Sequence, residues 1–163
     1  MFMKQKDILI NYYEVDSIDD LENEEIELIK TAREITKNAY APYSGFHVGA
    51  AVLLENGKIL AGSNQENAAY PSGLCAERVA LFYANSKYPD VPVKSMALCA
   101  VKHGNYFAEP VSPCGSCRQV ILETESRFEK PVKVIMIGEK IIRIIDSAKA
   151  LLPLSFDKKS LEQ

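Results

Sequence analysis

Histidine is nearly absent from this 163-residue chain. His47 and His103 are the only two. Neither sits in a ligand-spaced cluster, so a metal site built on imidazoles is not expected. Long apolar runs are also missing: no stretch approaches the ~20 residues of a membrane span, and no membrane contact is expected. Met1 to Asp7 lack the apolar core of a secretory leader. Nor is there an excess of positive charge. Nineteen Lys and Arg stand against 22 Asp and Glu, giving a formal net charge of -3 and a pI near 5.5. Bulk electrostatics therefore offer no reason for nucleic-acid binding. Internal repeats and low-complexity segments are absent as well. What is present, 47% hydrophobic and 25% charged residues, fits one folded domain. It is read as residues 23–163, preceded by an N-terminal arm over 1–22.

Cysteine is scarce but clustered. Three of the four cysteines fall in two short runs, Cys75-Ala76-Glu77-Arg78 and Pro113-Cys114-Gly115-Ser116-Cys117. A cytoplasmic location is expected, and there clustered cysteines read as metal-binding or catalytic. Structural zinc usually takes four protein ligands, whereas catalytic zinc takes three and keeps a position open. Three thiolates with one adjacent carboxylate therefore suggest the open kind. Cys114 and Cys117 are three apart and share a face of one helical turn. Cys75 and Glu77 are two apart and would point to nearly opposite sides of a regular helix. They serve one site only if Cys75 sits at the helix start, before the backbone turns helical. Helix N-termini favour thiolate over thiol. Arg78 is placed to offset the negative charge of three thiolates on one divalent ion. Cys99, inside the apolar run Met96 to Val101, reads as a core thiol rather than a fourth ligand.

The remaining patterns sketch the fold. Apolar periodicity predicts a helix from about Leu21 to Tyr40, ended by Pro42. Before it, Ile8 to Tyr13 read as a short strand or extended arm. Asn56-Gly57 between Val48–Leu54 and Lys58–Gly62 is a hairpin signal. A helix carrying Glu77 to about Ser86, a strand over Val93–Val101, a helix from Cys114 to about Arg127, and strands over Val132–Ile137 and Lys140–Asp146 follow. That order predicts an α/β fold: a three-layer α/β/α sandwich around a mixed, roughly five-stranded sheet.

In this order and spacing, the pieces resemble the small, homotetrameric class of cytidine deaminases. The matching stretches are Ala41 to Ala51, Asn64 to Tyr70, Cys75 to Arg78, Pro113 to Gln119 and Leu151-Leu152-Pro153. Zinc deaminases carry this cysteine set with a non-ligand Glu. The resemblance implies a cytidine deaminase-like fold and hydrolysis of cytidine and deoxycytidine to uridine and deoxyuridine in pyrimidine salvage. It implies zinc on Cys75, Cys114 and Cys117, and Glu77 as proton shuttle. Asn64 and Glu66 would bind the ribose, Phe46 would pack beside the pyrimidine, and Ala76 would line the substrate. Phe156 matches an aromatic inserted into a neighbouring subunit's site, and Arg78 would support the ligand sulfurs. Deaminases of the antibiotic blasticidin S share the cysteine layout and form the alternative; the Asn64/Glu66 pair favours a nucleoside. Two features depart from the family: the 1–22 arm and the long Cys75–Cys114 spacing, 114 − 75 = 39 residues.

Overall fold

The strand sequences carry apolar side chains on both faces, and the sheet they form is covered on both faces. The computed structural model describes residues 3–161. In chain order the elements are β1 (Tyr13–Val15), α1 (Asn23–Ile35), β2 (Phe46–Leu54), β3 (Ile59–Ser63), α2 (Ala76–Lys87), β4 (Val93–Lys102), β5 (Asn105–Tyr106), α3 (Gly115–Phe128), β6 (Lys133–Ile137) and β7 (Ile142–Ile145). The sheet order is β1-β7-β6-β4-β2-β3, with β5 paired to β4. Among the strands of the described residues only β4 and β6 run parallel, so the sheet is mixed. A parallel pair needs a long crossover, and α3 lies within it.

Alternation along the strands divides the core in two. Ala50, Val52, Met96, Leu98, Val134 and Met136 pack with Ala80 and Leu81 of α2 and Ile121 of α3. Ala51, Leu53, Ala97, Cys99, Ile135 and Ile137 face the other way, onto Leu28, Ile29 and Ala32 of α1. This is the expected three-layer arrangement. Gly62 of β3 sets how closely α2 approaches: a Cβ there would stand 2.6 Å from the Ala80 backbone nitrogen. The starts of α2 and α3 lie side by side, with the sulfurs of Cys75 and Cys114 3.8 Å apart.

Three details differ from the sequence reading. Among the described residues the sheet has seven strands, because β1 and β5 extend the expected five. β1 pairs with the edge of β7, Tyr13 opposite Ile144 and Val15 opposite Ile142. Ile8 to Ile10 form no strand; the strand of the arm lies further on. The first helix stops at Ile35, and one 3-10 turn over Thr36–Asn38 replaces its expected last turn. Thr36 donates its hydroxyl to the Arg33 carbonyl at 2.7 Å. The backbone of Tyr40 is instead engaged by Asn64 and Glu66, at 3.0 and 2.8 Å. Tertiary pairing there outweighs helical periodicity. Finally, β7 begins at Ile142 rather than Lys140, because Gly138 to Ile141 form the turn that the Gly138 N–H closes onto the Ile141 carbonyl, at 2.9 Å.

Candidate active site

Cys75 and Cys114 are the N-cap residues of α2 and α3. Both have extended backbones, with φ/ψ of -71°/153° and -68°/167°. The non-helical conformation required of Cys75 is therefore present. Free N–H groups at such positions favour negative charge. Cys117 lies in the first turn of α3, buried. The Cys75 and Cys114 sulfurs are 3.8 Å apart, and those of Cys114 and Cys117 are 3.5 Å apart. All three sulfurs lie within 4.8 Å of one another. Zinc–sulfur bonds of ~2.3 Å in tetrahedral array put sulfurs roughly 3.8 Å apart, so the donor set fits zinc in both chemistry and spacing. Among the described residues this is the one such group. Cys99 is not part of it. That residue is buried in the sheet, its thiol donates to the Ala32 carbonyl at 3.5 Å, and burial pushes its pKa up to about 12.

The electrostatics are those of a site prepared for a cation. Cys75 is pulled down to about 5, first by the hydrogen bond from Cys117 and then by Arg78. Cys117 is pushed up by that same contact, since a second charge beside a thiolate is disfavoured. A terminal nitrogen of Arg78 contacts the Cys75 sulfur at 3.8 Å and donates to the Gly73 carbonyl at 3.3 Å. The guanidinium thus lies against the Cys75 sulfur of the cluster. Glu77, one residue into α2, is 4% exposed, and burial raises its pKa.

A pocket of about 560 Å³ opens over the cluster. Its lining includes Cys75, Cys114, Glu77, Phe46, Asn64 and Glu66. Asn64 and Glu66 have defined local partners. The Asn64 side chain accepts from the Val48 N–H at 2.7 Å and donates to the Phe46 carbonyl at 2.9 Å. It thereby continues the β2–β3 pairing beyond the last ladder residue. Glu66 is half-buried, and it accepts from the Ser44 hydroxyl at 2.5 Å and the Tyr43 N–H at 2.9 Å. The Ser44 hydroxyl first, then Tyr43, hold its carboxyl below the ordinary carboxylate range.

Not every expected residue meets here. Ala76 is fully buried in the core beneath the pocket and does not line it. Phe156 is 60% exposed and lies outside the pocket of its own chain; its carbonyl accepts from the Gln119 side chain at 2.9 Å. Val111, Ser112 and Tyr70 do line the pocket, and sequence reasoning assigns them no role. The signal for the first two was adjacency: they precede Pro113-Cys114, and residues before a ligand N-cap form the rim.

Comparison with known proteins agrees with this architecture. A family profile described as the cytidine and deoxycytidylate deaminase zinc-binding region matches residues 22–132. A cytidine deaminase from Halalkalibacterium halodurans is 45% identical over 96 residues, 59% of this chain and 68% of the relative. One from Mycobacterium tuberculosis is 37% identical over 112 residues, 66% of this chain and 79% of the relative. The crystal structure of cytidine deaminase from Burkholderia pseudomallei superposes with a TM-score of 0.69 at 38% identity, covering 80% of this chain and 97% of that one. Fold, cysteine cluster and sequence relatives agree: the chain belongs to the zinc-dependent cytidine and deoxycytidylate deaminase family.

Proposed function

We propose that this chain hydrolyses cytidine and deoxycytidine to the corresponding uridines in pyrimidine salvage. The observation that carries the reading is the meeting of three clustered thiols and a buried carboxyl at one pocket. Cys75, Cys114 and Cys117 would hold the metal. When bound, zinc supplies Lewis-acid activation of a water molecule. Glu77 moves the protons. It accepts one from the attacking water and delivers protons to ring N3 and to the amine leaving C4, acting as base and then acid. Atoms balance: oxygen ends on C4, the C4–N bond breaks, and the two water hydrogens end on N3 and in ammonia. The burial-raised pKa of Glu77 supports this role, because a carboxyl that holds a proton more readily also returns it.

Phe46 supplies an apolar face for the pyrimidine, and Asn64 and Glu66 offer the remaining polar capacity of their side chains to the ribose. Arg78 offsets ligand charge. Ala76 contributes through its backbone at the start of α2. Exposed Phe156 fits a role in a neighbouring subunit's pocket, and with exposed Phe82 and Tyr83 on α2 it supports a homotetramer. Free thiols at the site suit a reducing compartment and support a cytoplasmic location. Among the described residues no helix is long and apolar enough to cross a membrane.

The test is an ultraviolet and ammonia-release assay of purified protein with cytidine, deoxycytidine, cytosine and blasticidin S. Turnover of both nucleosides and of neither other compound is expected. Turnover confined to blasticidin S would replace this reading with the antibiotic one.

A further inference from the structure

The long segment between Cys75 and Cys114 has a defined structure, and it ends against the pocket. β4 turns back on itself at His103-Gly104, both with positive φ, 53° and 80°. A two-residue turn of that kind reverses a strand at once. Lys102 pairs with Asn105, and Val101 with Tyr106. On its other side, Lys102 pairs with Phe46 at the start of β2. The hairpin therefore delivers the next residue, Phe107, to the end of the sheet where Phe46 enters the pocket. The two rings lie 5.3 Å apart between centroids, tilted by 54°. Phe46 lines the pocket and Phe107 does not, so Phe107 stands behind it.

We propose that Phe107 is a positioning residue for the pyrimidine-binding face of Phe46. The inference rests on the deaminase reading above. Phe107 is suited to the task because its own seat is fixed. The Phe107 carbonyl accepts from the Glu139 N–H at 2.8 Å. Gly138 admits the loop closely: a Cβ there would lie 2.7 Å from the Ala108 carbonyl oxygen and 3.0 Å from the Pro110 nitrogen. Glu109 accepts from Arg143 at 3.3 Å, and Arg143 also holds Glu14 of β1 at 2.9 Å. The arm and the long loop, the two departures from the family pattern, thus meet at one arginine. Tyr106 lies under the Arg33 guanidinium at 5.4 Å. A ring held from behind in a tilted pair has fewer orientations to lose when substrate arrives.

The consequence falls on binding of the base. Phe107 stands outside the pocket that Glu77, Cys75 and Cys114 line, so the chemical step should be little changed. The contact concerns the ring face, so cytidine and deoxycytidine should respond by the same factor. Phe107→Ala is expected to raise KM for both by roughly two- to ten-fold, the range an aromatic pair supplies. kcat and zinc content should hold. Phe107→Leu keeps apolar bulk in the loop and removes the ring; it carries the test if the alanine variant folds poorly. Phe107→Tyr should restore the wild-type KM. In a Phe46→Ala background, Phe107→Ala should change KM no further. An equal rise in KM with and without Phe46, or an unchanged KM in active, zinc-loaded Phe107→Leu, would overturn the assignment. Wild-type protein that turns over no cytidine would instead refute the deaminase reading.

Discussion

Asn64→Ala separates two jobs that one side chain can hold. In the structure Asn64 is 9% exposed and fastens the start of β2: its oxygen takes the Val48 N–H and its nitrogen gives to the Phe46 carbonyl. Truncation leaves both backbone groups without their partner. A buried unpaired polar group costs ~1–3 kcal/mol. Both groups lie beside a pocket that admits water, so the lower part of that range applies, about 2–3 kcal/mol in total. For a chain of this size that corresponds to a fall in thermal midpoint of roughly 4–10 °C. Slackening at Phe46 should also raise KM for cytidine. The assay is calorimetry of zinc-loaded wild type, Asn64→Ala and Asn64→Asp, beside steady-state kinetics. The aspartate keeps the acceptor for Val48 but opposes the Phe46 carbonyl, so an intermediate loss is expected. If Asn64 acted only on the ribose, KM would rise with the midpoint unmoved. A midpoint within about 1 °C of wild type would refute the bracing argument.

Other outcomes follow from the same geometry. Buried Glu125 accepts from the Val132 and Ala148 N–H groups, both at 2.7 Å, and from Ser147 at 3.0 Å. Glu125→Ala should therefore lower stability by at least ~3 kcal/mol in urea titration, and an unmoved midpoint would contradict it. In chelator-treated protein at pH 7, Cys75, with a pKa of about 5, is mostly thiolate, while Cys99, at about 12, is a buried thiol. Iodoacetamide should label Cys75 first and leave Cys99 untouched by mass spectrometry; the reverse order would count against the assigned environments. Deleting residues 154–163 should raise KM and keep zinc, and the intact chain should be a tetramer by light scattering. An intact monomer, or an unchanged KM after deletion, would remove Phe156 from the site.

Much of this is legible in the sequence. The requirement that Cys75 precede its helix came from two-residue spacing alone, and its extended backbone at the N-cap meets it. The assignment of Cys99 to the core rests on its apolar flanks; in β4, Ala97 and Cys99 are buried against α1 while Met96 and Leu98 are buried on the other face. What stayed hidden depended on pairing between distant segments. The end of α1 is decided by Asn64 and Glu66 capturing Tyr40, a contact across more than twenty residues of chain. The bracing role of Asn64 required knowing that Phe46 and Val48 lie beside it. β1 and β5 are only three and two residues long, too short for alternation to register. Phe107 carries no motif at all; only the hairpin geometry brings it to Phe46.

The most direct test of the account pairs wild type with Glu77→Gln and measures zinc and cytidine turnover on the same samples. Both should hold about one zinc per chain, since three thiols and no carboxylate form the donor cluster. Wild type should release ammonia from cytidine, and the variant should be slower by at least ~10²-fold. A zinc-loaded Glu77→Gln protein that deaminates cytidine at nearly the wild-type rate would contradict the account.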